Sequence, residues 1–161
     1  MDSEIDVREA TQQDTEAIYE LACELSTTVG DSEPESEDVG ERLSQLLESP
    51  SSNTLVAEGA DGIVGVVSFW VKPDLAHGDT VIDIPMLAVS QGARRQGIGK
   101  LLMKRTQDIA SENDAEFMEL IATPNNKVAR EFYHSLGFVE TDHVCLEFRG
   151  DIDNPPDPDE C

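Results

Sequence analysis

An apolar strand, a glycine-containing loop and an amphipathic helix follow one another in the middle of this chain. The apolar run from Ile82 to Val89 predicts a buried strand, and residues 90–93 predict a turn. The stripe that predicts a helix ending near Asn113 consists of Ile98, Leu101, Leu102, Ile109 and Ala110. A second strand is predicted over Phe117 to Ala122, so this crossover should be right-handed and the two strands parallel. The unit predicts a fold of the α/β class.

The same unit is a positive region in an otherwise acidic chain. The sequence has 34 acidic and 11 basic residues and a net charge of −23, yet residues 84–107 contain no acid. The five cations of this window are Arg94, Arg95, Lys100, Lys104 and Arg105. They indicate either a site for an anionic ligand or a basic helix face that pairs with acids elsewhere in the fold. Charge alone supports these two interpretations equally.

Gly97 and Gly99 favour the anionic ligand. Both stand where the predicted helix begins, and their missing side chains let a ligand approach the backbone. Free N–H groups and the helix dipole favour bound phosphate at such a position. Two glycines can also serve close packing alone, so the pattern gains weight only beside a second motif.

Length and composition exclude several classes of protein. A chain of 161 residues suits one domain, and its longest nearly apolar run, Ile63 to Val71, is far too short to span a membrane.

The acidic excess repels nucleic acid and resembles that of cytoplasmic proteins of halophilic archaea. The alternative is that the acidic surface attracts cationic substrates. The acidic start of the chain is unlike an export signal, and the cysteines lack disulfide or metal spacing. We therefore expect a halophilic, cytoplasmic protein without a membrane or nucleic-acid partner and without a metal.

Two motifs carry a family resemblance. The stretch Arg94-Arg95-Gln96-Gly97-Ile98-Gly99 resembles the pyrophosphate loop Gln/Arg-x-x-Gly-x-Gly/Ala of the GNAT superfamily, the acetyl-CoA-dependent N-acetyltransferases. Downstream, Asn126-x-x-Ala129-x-x-x-Tyr133-x-x-x-Gly137-Phe138 resembles a helix of the same family. The dinucleotide fingerprint Gly-x-Gly-x-x-Gly is absent, so binding of NAD or FAD is not indicated. The resemblance implies a single mixed, mostly antiparallel sheet, with a central parallel pair splayed around the cofactor and flanking helices.

Other segments fit this fold. Residues Leu55 to Glu58 and Ile63 to Trp70 predict a hairpin that turns at Asp61-Gly62, and Phe138 with Val144 to Phe148 predicts a last hairpin. Pro85 interrupts the predicted fourth strand and should lie at a bulge or where the strand splays. The acetyltransferase domain is predicted over residues 1–150, and the acidic, proline-rich segment 151–161 is predicted to be a disordered tail.

The resemblance assigns functions to individual residues. The main chain of the fourth strand would bind the pantetheine arm and the acetyl carbonyl, and the loop would bind the pyrophosphate. The cofactor-binding residues are then Leu87, Ala88, Val89, Arg94, Arg95, Gln96, Gly97, Ile98, Gly99, Lys100, Asn126 and Tyr133. Tyr133 is also the candidate general acid, because a phenol with a pKa of about 10 is protonated at neutral pH. Asp83 is the candidate base, although a carboxylate that binds solvent or a backbone N–H is an equal alternative.

These residues predict an N-acetyltransferase that uses acetyl-CoA as co-substrate and a primary amine as acceptor, by direct attack. The alternative is a non-catalytic acetyl-CoA sensor or interaction module. Ile121 stands where relatives that acetylate protein amino termini often have a glutamate, which argues against a peptide terminus as acceptor. Dimers are common among relatives, so a homodimer is a further expectation.

Overall fold

The computed structural model of the protein describes residues 4–154. Within these residues, five strands form one sheet in the order β1-β2-β3-β4-β5, and only the pair β4 and β5 is parallel. In chain order the elements are β1 (Asp6–Glu9), α1 (Thr15–Val29), α2 (Ser36–Glu48), β2 (Ser52–Gly59), β3 (Gly62–Pro73), β4 (Thr80–Val89), α3 (Ile98–Glu112), β5 (Phe117–Glu119) and α4 (Lys127–Ser135). The predicted mixed, mostly antiparallel sheet with its parallel pair is confirmed.

Helices cover both faces of the sheet because side chains alternate along its strands. In β2, Leu55 packs in a core with Leu102 of α3, whereas its neighbour Val56 packs with Ile18 of α1 and with α2. The α4 side chain Phe132 belongs to the α3 side. The sheet therefore separates an α3–α4 layer from an α1–α2 layer.

The first strand is tied to the start of the first helix by a partly buried ion pair. Both terminal guanidinium nitrogens of Arg8 donate to the Asp14 carboxylate, at 2.8 and 3.0 Å. The backbone N–H of Thr11 donates to the same carboxylate at 2.8 Å. The hydrogen bonds from Arg8 hold the pKa of Asp14 below its ordinary value. This pair sets where α1 begins, and hence where the α1–α2 layer lies.

The predicted hairpin of β2 and β3 is confirmed, and it is longer at both ends than the sequence suggested. Gly59 and Gly62 are the last paired residues, and Gly62 has φ of +116°, a value that side-chain-bearing residues rarely adopt. The glycine of the Asp61-Gly62 pair therefore makes the turn possible.

Strands β4 and β5 stay together over three residues and then separate. Val81 to Asp83 pair with Phe117 to Glu119, while β4 runs on to Val89 with no partner on that side in the described part of the chain. The β3–β4 register passes from Trp70↔Asp83 to Ser68↔Met86. One β3 residue, Phe69, thus faces two residues of β4, Ile84 and Pro85, and this β-bulge confirms the position predicted for the proline.

The predicted last hairpin is wrong for the described residues. Residues 138–149 contain no strand, and the side chains of Val144 and Leu146 are 79% and 89% exposed. Alternating apolar residues fit a strand, but a strand also requires a paired edge, and β5 ends at Glu119 instead of Ala122. Of the predicted disordered tail, residues 155–161 lie outside the described part of the chain.

Candidate active site

The loop between β4 and α3 has a backbone suited to an anion. Arg95 and Gly97 both have positive φ values, +67° and +78°, so the loop turns twice before α3 begins at Ile98. The first helical bond joins the N–H of Leu101 to the carbonyl of Gly97 at 3.1 Å. The N–H groups of residues 98–100 consequently point out of the helix end, where the dipole favours negative charge.

The cations of the positive region divide into two groups. Lys104 pairs with Asp108 at 2.7 Å and Arg105 pairs with Glu112 at 3.4 Å, in both cases within α3. Within residues 4–154, no acidic partner is present for Arg94, Arg95 or Lys100. The later cations therefore form a face that pairs within α3 itself, whereas Arg94, Arg95 and Lys100 around the loop have no acidic partner among the described residues, as a site for an anion would require.

Helix α4 is fixed at both ends by the residues that the sequence singled out. The Asn126 side-chain oxygen accepts a hydrogen bond from the N–H of Ala129 at 3.2 Å and so caps the first turn. At the other end Gly137 has φ of +94°, and the N–H of Phe138 donates to the carbonyl of Tyr133 at 3.0 Å. This Schellman arrangement confirms the predicted left-handed cap. With the oxygen of Asn126 used by the helix, its amide nitrogen is the atom left for a ligand.

The start of α3 contacts α4 through a glycine. A Cβ atom placed on Gly99 would lie 3.0 Å from Cζ of Phe132, which is tighter than nine in ten real Cβ contacts. Gly99 is predicted to let a ligand approach the backbone, and in the structure its missing side chain also admits an aromatic ring from α4. The contact sets the distance between the loop and the helix that carries Tyr133.

Tyr133 lies among aromatic rings. Its ring meets Phe132 and Phe138 edge-on, with centroids 5.2 and 5.6 Å away. Burial raises the pKa of Tyr133 to about 12, because desolvation disfavours the phenolate. The residue also lines a cavity of about 1140 Å³ between β5, α4 and residues 138–145. The phenol is therefore protonated at neutral pH.

Asp83 is the last residue of β4 that pairs with β5. Its carboxylate accepts a hydrogen bond from Nζ of Lys72 at 3.0 Å, and its side chain is 31% exposed. The hydrogen-bond partner is thus an ammonium group of β3 and not a backbone N–H, and the exposed part of the carboxylate remains open to solvent. Glu119 is the Cα partner of Asp83 across the parallel pair. No motif marks it in the sequence, where it is simply an acid within a predicted strand.

A model of the acetyltransferase (GNAT) family matches residues 15–138, which contain the loop, Asp83 and the whole of α4. The chain belongs to this family. The predicted family and the prediction of an N-acetyltransferase are confirmed. Members of the family use acetyl-CoA, and a related structure contains CoA.

Relatives of this acetyltransferase differ in what they act on. The aminoalkylphosphonate N-acetyltransferase of Salmonella typhimurium is 26% identical over 136 residues, 84% of this chain and 86% of that protein. The mycothiol acetyltransferase of Beutenbergia cavernae is 33% identical over 103 residues, 63% of this chain but 33% of that protein. The aminoglycoside N-acetyltransferase AAC(6')-Iy in complex with CoA superimposes with a TM-score of 0.80 at 18% identity, covering 92% of this chain and 97% of that one.

The acetyltransferase brings its candidate residues together in two groups. The main chain of residues 87–89 leads directly into the loop of residues 94–100, and β5 does not pair with it. Tyr133 forms the second group and lines the cavity beside β5. None of residues 87–89 and 94–100 lines that cavity. The two groups are linked by the contact of Phe132 with Gly99. Within residues 4–154, no helix has the length and apolar character needed to cross a membrane.

Proposed function

We propose that the protein transfers the acetyl group of acetyl-CoA to a primary amine by direct attack, with Tyr133 as the general acid. One observation carries this proposal. An anion-binding loop with three cations that lack acidic partners among the described residues is joined through Gly99 and Phe132 to the helix that bears a protonated phenol. That combination supplies both a diphosphate site and a proton donor.

The donor side uses main-chain groups more than side chains. The N–H groups of residues 98–100 and the side chains of Arg95 and Lys100 would bind the pyrophosphate, with Arg94 at the edge, where its Nε donates to the carbonyl of Val89 at 3.4 Å. Residues 87–89 have no β5 partner, so their backbone groups on that side can bind the pantetheine arm and orient the acetyl carbonyl. The amide nitrogen of Asn126 can hold the same arm or a water molecule.

The chemistry requires two proton movements. The neutral amine nitrogen forms a bond to the carbonyl carbon, and the carbon–sulfur bond then breaks. Tyr133 gives its proton to the departing sulfur, which converts a thiolate into a neutral thiol. The nitrogen loses its extra proton to a base, for which Asp83 is the candidate, directly or through water.

The ion pair with Lys72 bears on the role of Asp83. Lys72 donates to one oxygen of the carboxylate, and the other oxygen is available to accept a proton from the amine. The pair lies at the point where β4 and β5 separate, so a base there is next to the proposed path of the pantetheine arm.

Replacing one phenol tests the proposal, and the chain contains its own control. The sequence has two tyrosines, Tyr133 on α4 and Tyr19 on α1. We expect Tyr133→Phe to lower kcat by about 10²-fold or more, the usual contribution of general acid catalysis, while the Kd for CoA in calorimetry stays within twofold. Tyr19→Phe should leave both quantities unchanged. If Tyr133→Phe acetylates amines as fast as the parent protein, the phenol is not the general acid. If the parent protein binds CoA but acetylates no amine, it is the non-catalytic sensor.

A further inference from the structure

A cavity on the opposite face of the sheet takes no part in the donor site. It has a volume of about 320 Å³ and lies between α1, α2 and strands β2 to β4. Its floor is one row of cross-strand partners: Thr54 of β2, Ser68 of β3 and Met86 of β4. Its walls are mainly apolar side chains of the two helices, including Ile18 and Leu43.

The floor contains an unpartnered hydroxyl group. The residue Thr54 is 6% exposed, and its Oγ1 has no hydrogen-bond partner among the described residues. A buried hydroxyl without a partner has lost its hydrogen bonds to water and gained none in return, so natural proteins rarely keep one without a reason. An occupant of the cavity with one hydrogen-bonding group would satisfy it.

The cavity lies beside the candidate base. The next row along the same face of the sheet contains Ser52, Trp70 and Asp83. Two residues along β3 span about 7 Å, and they correspond to the three positions from Asp83 to Met86 across the bulge in β4, so the Asp83 row is next to the Met86 row. An amine that extends from the cavity along β4 therefore reaches the carboxylate and the point where β4 and β5 separate.

Charges are confined to the mouth of the cavity. Among the lining residues only Asp38 and Arg42 are charged, and both are exposed on α2. Because they carry opposite signs, the mouth favours neither a strongly anionic nor a polycationic occupant. The interior suits an uncharged body.

We propose that this cavity binds the body of the acetyl acceptor, and that the acceptor is a small primary amine with an apolar body the size of one substituted benzene ring and one hydroxyl or carbonyl group. This inference rests on the proposed function. An engineered cavity of about 150 Å³ holds benzene, so a cavity of about 320 Å³ accommodates a ring with a short amine-bearing chain. A folded polypeptide or a multi-ring sugar does not fit within that volume.

The test uses tyramine, phenethylamine and spermidine as acceptors. Tyramine has both the ring and the hydroxyl, phenethylamine lacks the hydroxyl, and spermidine lacks the apolar body. Ala22 lines the cavity from α1 and Ala17 of the same helix does not, so Ala22→Leu fills the cavity and Ala17→Leu is the matched control. Acetylation is followed by release of the CoA thiol, and tyramine binding is measured separately by calorimetry with and without saturating CoA.

We expect tyramine and phenethylamine to be acetylated with a kcat/KM at least tenfold above that for spermidine. Ala22→Leu should raise the KM and Kd for tyramine at least tenfold, with the KM for acetyl-CoA unchanged, and Ala17→Leu should change neither. Thr54→Val should reduce the preference for tyramine over phenethylamine about fivefold, the equivalent of one hydrogen bond.

Three results separate this inference from the proposed function. Acetylation of spermidine or of peptides in preference to the ring-bearing amines overturns the acceptor class and leaves the N-acetyltransferase intact. A tyramine affinity that Ala22→Leu does not change overturns the cavity as the site. Absence of CoA binding overturns the proposed function, and tyramine binding that Ala22→Leu abolishes would still support the cavity.

Discussion

The contact between Gly99 and Phe132 predicts that one added methyl group will disturb both stability and turnover. In Gly99→Ala the new Cβ would lie 3.0 Å from Cζ and 3.3 Å from Cε2 of the ring. Overpacking of this kind costs about 1–3 kcal/mol. Alanine in a helix gains about 0.5–1 kcal/mol over glycine, so the free energy of unfolding should fall by a net of about 0–2.5 kcal/mol.

The effect on turnover follows from where Phe132 lies in the chain. To relieve the contact the ring must move by a few tenths of an ångström, and Tyr133 is the next residue of the same helix. Because a displacement of 1 Å can cost about 10²-fold in rate, we expect kcat to fall about three- to tenfold. The KM for the amine should change less, since the cavity below α1 and α2 does not include this contact.

Two further variants isolate the contact. A Cβ on Gly92 would meet no atom within 4 Å, so Gly92→Ala is the same substitution without the collision. In the Phe132→Leu background, Gly99→Ala should cost at least about 1 kcal/mol less than it does alone, as a double-mutant cycle in thermal or urea unfolding would report. Equal effects of Gly99→Ala and Gly92→Ala on both stability and kcat would refute this account.

Three other predictions concern charges. Lys100→Gln should weaken CoA binding about three- to tenfold in calorimetry. Lys104→Gln should change the affinity less than twofold, because the Lys104 ammonium already pairs with Asp108. Equal effects of the two substitutions would contradict the division of the cations. Asp14→Asn should lower the free energy of unfolding at pH 7 by about 1–3 kcal/mol. Arg8 depresses the folded-state pKa of Asp14. The stabilisation is therefore present above the unfolded-state pKa of about 3.9 and disappears as the pH falls through the folded-state pKa. In urea unfolding, the free energies of unfolding of the parent protein and of Asp14→Asn should converge below pH 4. A net charge of −23 predicts that Tm rises as KCl increases from 0.1 to about 2 M; a Tm that falls would contradict the halophilic interpretation.

Local signals predicted the parts of the fold that local interactions determine. The β2–β3 hairpin follows from Asp61-Gly62 between apolar runs, and the end of α4 follows from Gly137, because both glycines have positive φ values. The β-bulge followed from Pro85, which lacks a donor for the ladder. In each case one residue, a glycine with positive φ or a proline without an N–H donor, restricts the local backbone to a few conformations.

The errors and omissions concern contacts between distant residues. Alternation of Val144 with Leu146 predicted a strand, but no pattern in the sequence says whether β5 offers an edge to it. The contact of Gly99 with Phe132 joins residues 33 positions apart, and the cavity floor draws Thr54 and Met86 from different strands. Spacing motifs identify which residues are candidates and do not reveal which neighbours they acquire.

The β-bulge at Pro85 explains how one strand can serve both donor and acceptor. Before the bulge, Ile82 and Ile84 pack with α3, so Asp83 between them faces the α1–α2 layer. After it, Leu87 and Val89 pack on the α3 side, and Met86 and Ala88 face α1 and α2. Without the extra residue, strict alternation would place Asp83 on the same face as Leu87 and Val89.

Because the bulge shifts that alternation by one, the carboxylate shares a face with the apolar cavity, while the strand edge beyond it stays open toward β5. Every residue from Val81 to Val89 except Asp83 and Pro85 is apolar, so the pattern of side chains alone could not have revealed on which face the carboxylate lies. The β-bulge at Pro85 decides on which face of the sheet the Asp83 carboxylate lies. The proposed base and the proposed acceptor site therefore both depend on this bulge.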